Sequence, residues 1–260
     1  MNQEVSKEMS AVEAGKNAES IITRKRVSQW PKVASFDFES NEKALVLAPH
    51  PDDEVLGCGG TICKFGRNGM HFKIVYMTDG RHGSTSIPTD KLVEIRKKEA
   101  VNGLRVLGCN DVTFLGKRDR GLECDDVTIG ALKSILDVYE PRLLFLPPFD
   151  DFHPDHAATS EAAAIALKDY NHRVDCYFYE VMTTVAPNVV VDITDVMRLK
   201  IKAMDKHRSQ IDVVDYSKKI KCLNSYRSIY AGKRVKYCEA YFSCSRTDLV
   251  DLARSSGIIV

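Results

Sequence analysis

The chain has 260 residues, enough to bury the core of an α/β domain, and 44% of them are hydrophobic. Its 37 Lys and Arg stand against 36 Asp and Glu, a balance that gives no sign of a dominant nucleic-acid or anionic-membrane partner. No apolar run nears the roughly 18 to 20 residues of a membrane span, and residues 1–26 lack the apolar core of a signal peptide.

Residues 1–40 begin polar and mixed in charge, and read as an extension, either loose or docked as a helix. A single domain is expected over 41–250. The strand predicted over 43–49 is followed by a glycine-rich turn, Gly57-Cys-Gly-Gly60, and a helix over 61–67. A second strand over 72–78 ends in Asp79-Gly80 and a polar loop. The helix over 91–107 has Thr89 as its N-cap and Gly108 as its stop. Then come a short strand over 111–115, a helix over 127–139, a buried strand over 143–147 and a helix over 157–168. Strands over 174–182, 189–193 and 236–244 follow, with helices near 195–206 and 216–230. This alternation predicts a three-layer αβα, Rossmann-like domain with a mostly parallel sheet. The eight cysteines form no CxxC pair, which excludes a zinc ribbon and points to a reducing, cytoplasmic setting.

Two polar clusters follow apolar strands. The first, His50-Pro-Asp-Asp-Glu54, delivers one imidazole and three carboxylates in five residues. Capping the next helix needs one acid, not a His and three acids. The second, Asp150-Asp-Phe-His-Pro-Asp-His156, precedes a helix whose first position suits Pro154. Clusters at the carboxyl ends of two strands converge on one crevice in a doubly wound sheet. Two His and one carboxylate make a three-ligand zinc site with an open position. Of Asp52 and Asp53, one can bind metal and the other move a proton; of His153 and His156, one can ligate and the other stabilise an oxyanion. Asp155 is expected to hold His153 in one tautomer. Spacing alone does not assign which residue does which.

These residues resemble the PIG-L/LmbE-like zinc-dependent N-deacetylases. The resemblance rests on His50-Pro-Asp-Asp-Glu54, Gly57-Cys-Gly-Gly-Thr61 and His153-Pro-Asp-His156. It extends to Met77-Thr-Asp-Gly80, Glu94-Ile-Arg-Lys-Lys-Glu-Ala100 and Asp119-Arg-Gly121, and weakly to Ser209-Gln210 and Glu239-Ala-Tyr241. It covers about 43–245. It implies one zinc per chain on His50, Asp53 and His156, with Asp52 as general base. It implies His153, oriented by Asp155, as oxyanion stabiliser or acid. Arg96 then faces the acyl pocket and Arg173 contacts substrate. The implied substrate is a small N-acetylglucosamine-type sugar conjugate, with specificity in loops 81–89, 117–125 and 183–188.

The rival readings are a metal-dependent hydrolase of another amide or a phosphoester, and a non-catalytic sugar-binding module. Two-metal sites are common for phosphoryl substrates. The glycine turn is no dinucleotide fingerprint, since Ile62 stands where the third glycine belongs; its glycines are expected to let backbone approach the metal site. His71, His172 and His207 stand alone and are read as surface or core residues. Arg81 and His82 are candidates for the pocket rim. Lys218, Lys219 and Lys221 are read as a solvated helix face. Whether copies of the chain form a homo-oligomer is left open.

Overall fold

The computed structural model describes residues 30–34 and 42–259. The expectation of a loose N-terminal arm falls mostly outside them. Eight strands form one sheet: β1 (Lys32–Val33), β2 (Lys43–Ala48), β3 (His71–Thr78), β4 (Asp111–Lys117), β5 (Leu143–Leu146), β6 (Asp175–Tyr179), β7 (Val189–Asp192) and β8 (Cys238–Ser245). The order is β4-β3-β2-β5-β6-β8-β7-β1, and only β8 runs antiparallel to its neighbours. The α-helices among the described residues are α1 (Asp53–Arg67), α2 (Thr89–Leu107), α3 (Asp126–Tyr139), α4 (Pro154–Leu167), α5 (Met197–Met204), α6 (Arg208–Ile211), α7 (Tyr216–Arg227) and α8 (Arg246–Ser255). The predicted α/β architecture is therefore the observed one.

Alternation along β2 sorts the two cores. Ala44, Val46 and Ala48 pack toward α1, α2 and α5, while Leu45 and Leu47 pack toward α3, α4 and α8. A strand covered on both faces needs a continuous apolar run, which is why 44–48 reads without polar breaks. The chain leaves β2 for β3 and β4 on one side, then crosses to β5 and β6 on the other. The topological switch thus lies between β2 and β5, where ligands bind in such sheets.

Two expectations are corrected. The glycine-rich turn is helical: α1 begins at Asp53, eight residues before the predicted start. Its glycines serve packing rather than the metal site. A Cβ on Gly57 would come within 2.4 Å of the Tyr179 ring, and one on Gly60 within 2.6 Å of Ile193. Helix α8 was missed, although Ser245 and Asp248 form a reciprocal capping box at its start. Gly108 ends α2 in the left-handed conformation (φ 83°), and Pro154 opens α4, both as expected.

Candidate active site

A pocket of about 280 Å³ opens at the carboxyl ends of the parallel strands. The turn after β2 contributes His50, Asp52 and Asp53, and the turn after β5 contributes His153 and His156. His82 and Gly83 follow β3, Asp119 and Arg120 follow β4, and Met182 follows β6. Gln210, Val213 and Tyr216 close the wall from α6 and the start of α7.

Asp52 occupies the N-cap position of α1 but makes no side-chain cap hydrogen bond, so the acids are not spent on capping. His50 Nδ1 lies 3.1 Å from Asp53 Oδ2, His156 Nε2 lies 3.3 Å from the same oxygen, and the two nitrogens are 3.3 Å apart. Ligands about 2.0–2.1 Å from a tetrahedral zinc stand roughly 3.3–3.4 Å from one another, so this triangle has the right size. The outer nitrogens fix the tautomers. His50 Nε2 faces Asp155 Oδ2 at 3.1 Å and Asp119 Oδ1 at 3.4 Å, and His156 Nδ1 faces Asp151 Oδ2 at 3.2 Å. With protons held there, both inner nitrogens turn lone pairs toward the Asp53 carboxylate, an arrangement that calls for a cation between them.

The surrounding carboxylates favour positive charge at that point, whether a proton or a metal carries it. Burial would lower the pKa of His50, but Asp119, Asp155 and Asp53 hold it well above its ordinary value. His156 likewise overcomes burial through Asp53 and Asp151, rising to about 9. Burial would raise Asp53, yet His156 and His50 hold it far below the usual carboxylate range. Asp52 goes the other way: burial raises it, against the opposing pull of Arg96. Its Oδ1 accepts from Arg96 Nη2 at 2.9 Å. Glu54, the third acid of the motif, is wholly buried outside the pocket lining, and burial lifts it to about 8.

His153 caps α4, its Nδ1 accepting the Asp155 backbone N–H at 3.3 Å. That leaves its neutral ring with the proton on Nε2. Burial lowers its pKa, and so do His50 and His156. A ring nitrogen of His153 also lies within 4.8 Å of ligand-type atoms of His50 and His156.

Three expected roles meet a different geometry. The Asp155 carboxylate does not orient His153. It holds His50 Nε2 and accepts the backbone N–H groups of Arg120 and Leu122 at 2.7 and 3.1 Å. Arg96 lines the pocket, but both terminal nitrogens are committed, to Gly80 O, Pro51 O and Asp52 Oδ1. Arg173 is not in the site. Its side chain is 76% exposed beside Asp175, at the amino end of β6 and so at the opposite end of the strands from the pocket. His82 does reach the pocket wall, whereas Arg81 is bound to Asp79. Asp119 and Asp151 had no assigned role in the sequence; each follows a strand's carboxyl end, and that position was the available signal.

The PIG-L family model, described as GlcNAc-PI de-N-acetylase, matches residues 45–167. A probable N-acetyl-alpha-D-glucosaminyl L-malate deacetylase 2 of Bacillus subtilis is 31% identical over 188 residues, 66% of this chain and 84% of that protein. The chain belongs to the PIG-L family. Membership puts it among enzymes that hydrolyse an amide C–N bond. The solved N,N'-diacetylchitobiose deacetylase of Pyrococcus horikoshii superposes with a TM-score of 0.72 at 31% identity, covering 79% of this chain and 85% of that one. A 4-carboxy-2-hydroxymuconate hydratase of Pseudomonas putida shares the fold alone, with a TM-score of 0.67 at 20% identity over 78% of this chain and 95% of that one.

Proposed function

We propose that this PIG-L member is a zinc-dependent hydrolase that removes the N-acetyl group from an N-acetylglucosamine-type sugar conjugate, releasing acetate and a free amine. The observation that carries the reading is the His50–Asp53–His156 triangle, with Asp52 and His153 beside it on the same pocket wall. His50, Asp53 and His156 would hold the zinc. Bound there, zinc supplies Lewis acidity that polarises the acetamide carbonyl and makes the attacking water more acidic.

The remaining chemistry belongs to the chain. Asp52, made more basic by burial, takes the proton of the attacking water. Arg96 anchors one oxygen of Asp52 and so fixes the direction of the other. His153 is neutral and carries its proton on Nε2, and it donates to the oxygen that gains charge as the carbonyl carbon becomes tetrahedral. The proton taken up by Asp52 is then available to the departing amine. Asp155, Asp119 and Asp151 act behind the ligands, setting the tautomers of His50 and His156.

The phosphoesterase rival would need a second ion. A second cluster of His50, Asp119, His153 and Asp155 does exist. However, it reuses the imidazole of His50, and Asp119 and Asp155 are engaged by the backbone N–H groups of His82, Arg120 and Leu122. The test is free-amine release from nucleotide-, lipid- and thiol-linked N-acetylglucosamine, with and without chelator, alongside metal analysis. Release abolished by chelator, with one ion per chain, is expected. Two ions per chain, or chelator-insensitive release, would contradict the reading.

A further inference from the structure

The near-zero net charge conceals a segregation. Residues 197–237 hold twelve Lys and Arg against three Asp and Glu, leaving 25 against 33 elsewhere. Ten of the twelve are exposed. The two that form ion pairs with described residues are the buried ones, Lys200 with Glu239 and Arg227 with Glu180. Arg198 and Lys202 of α5 face Lys218 and Lys221 of α7 across a groove of about 710 Å³, floored by Met197, Ile201 and Tyr237. Asp205 is the one acid lining it among the described residues, and it accepts the Ser217 hydroxyl.

This face borders the pocket mouth. Helix α7 begins at Tyr216 on the pocket wall, and Arg227 at its end donates to Val185 O in the loop that carries Met182. Exposed large apolar side chains lie beside the pocket and at the end of α7. Met182 and Val213 stand at the mouth and Phe152 next to His153. Tyr226 and Ile229 stand at the end of α7, and Trp30 rests on Tyr230. These are six of the nine such residues among those described, and their exposures run from 46% to 71%. Cations with no ion pair among the described residues, flanked by aromatic and aliphatic side chains, match the chemistry of an anionic bilayer surface. A nucleic acid would use the cations but not Ile229, Val213 and Met182.

We propose that the α5–α7 face docks on an anionic lipid bilayer, with the pocket mouth turned toward the membrane. The cations meet the headgroups and the apolar rim enters the interface, so the substrate would be an amino sugar presented at that surface. Only this last step rests on the proposed deacetylation; docking can be measured without catalysis.

The experiment is cosedimentation of the full chain with vesicles of phosphatidylcholine alone and of a phosphatidylcholine–phosphatidylserine mixture, at low and high salt. Binding to the mixture alone, lost at high salt, is expected. Each lysine near an anionic surface contributes roughly a fivefold partitioning factor, so the triple change Lys218→Glu, Lys219→Glu and Lys221→Glu should cost at least about 100-fold. The pair Tyr226→Ser and Ile229→Ser should weaken binding at unchanged charge. Circular dichroism of both variants should match wild type, and the triple variant should retain wild-type turnover of a soluble substrate. No binding at low salt would overturn the proposal. So would undiminished binding by a folded triple variant. Tighter binding to duplex DNA than to vesicles, insensitive to the apolar pair, would assign the face to a nucleic acid instead.

Discussion

Two buried ionic clusters meet helix α1, and they differ in whether their charges close. At mid-helix, the Glu239 carboxylate receives five donors: Gly60 N–H, Thr61 N–H, the Thr61 and Tyr241 hydroxyls and the Lys200 ammonium, at 2.6–3.0 Å. Nothing there asks for a ligand. At the start of the helix, His50, Asp53 and His156 converge on one point, with the outer nitrogens of the two imidazoles already held by carboxylates. Here the satisfied cluster is structural, and the one that converges on an open point faces the pocket. Both clusters lie in conspicuous charged sequence, and only the geometry separates them.

That contrast yields predictions of decreasing size. Asp52→Asn should lower kcat by about 10²–10⁴-fold, the usual worth of a positioned base, while zinc content stays at the wild-type level. Wild-type turnover in a zinc-loaded variant would remove Asp52 from its role. Glu239→Ala leaves the Lys200 ammonium buried and unpaired, and should cost about 3–5 kcal/mol in denaturant unfolding. Adding Lys200→Met should recover much of it; a loss below about 1 kcal/mol would mean the cluster is not the closed unit described.

A smaller effect separates a third buried group. His207 has no exposed surface, and burial, aided by Arg96, holds its pKa down to about 3. The unfolded chain binds that proton from its ordinary value of 6.5, so the unfolded state carries more protons below it. Stability should therefore fall with acid below about pH 6.5, by up to about 1.4 kcal/mol per pH unit for this group. His207→Gln should flatten the profile over that window, and an unchanged slope would contradict the burial argument. Smallest of all, Arg173→Ala should leave kcat/KM unchanged and stability within about 0.5 kcal/mol, because it stands exposed at the amino end of β6, away from the pocket. A marked rise in KM would return it to the substrate.

The architecture and the two halves of the site were legible because they rest on local signals. These were apolar runs long enough for strands, a His–Asp turn at each strand end, and Pro154 opening a helix. What failed needed tertiary information. Gly57 and Gly60 look like a turn until Tyr179 and Ile193 are seen to require their missing side chains. Asp155 lies two residues from the one it was expected to orient, yet its carboxylate serves an imidazole 105 residues away. Arg173 matched by sequence, but chain direction at β6 carries it to the wrong end. The charge segregation on α5–α7 disappears in the chain total, and single Lys runs looked like ordinary solvated surface.

The most direct measurement strips the protein with chelator, restores one zinc per chain, and follows free-amine release from N-acetylglucosamine conjugates in wild type and His156→Ala. The stripped protein should give no release and recover fully on reloading, and the variant should show neither tight zinc nor release. Release by stripped protein, or a His156→Ala variant that still binds zinc tightly and turns over, would contradict it.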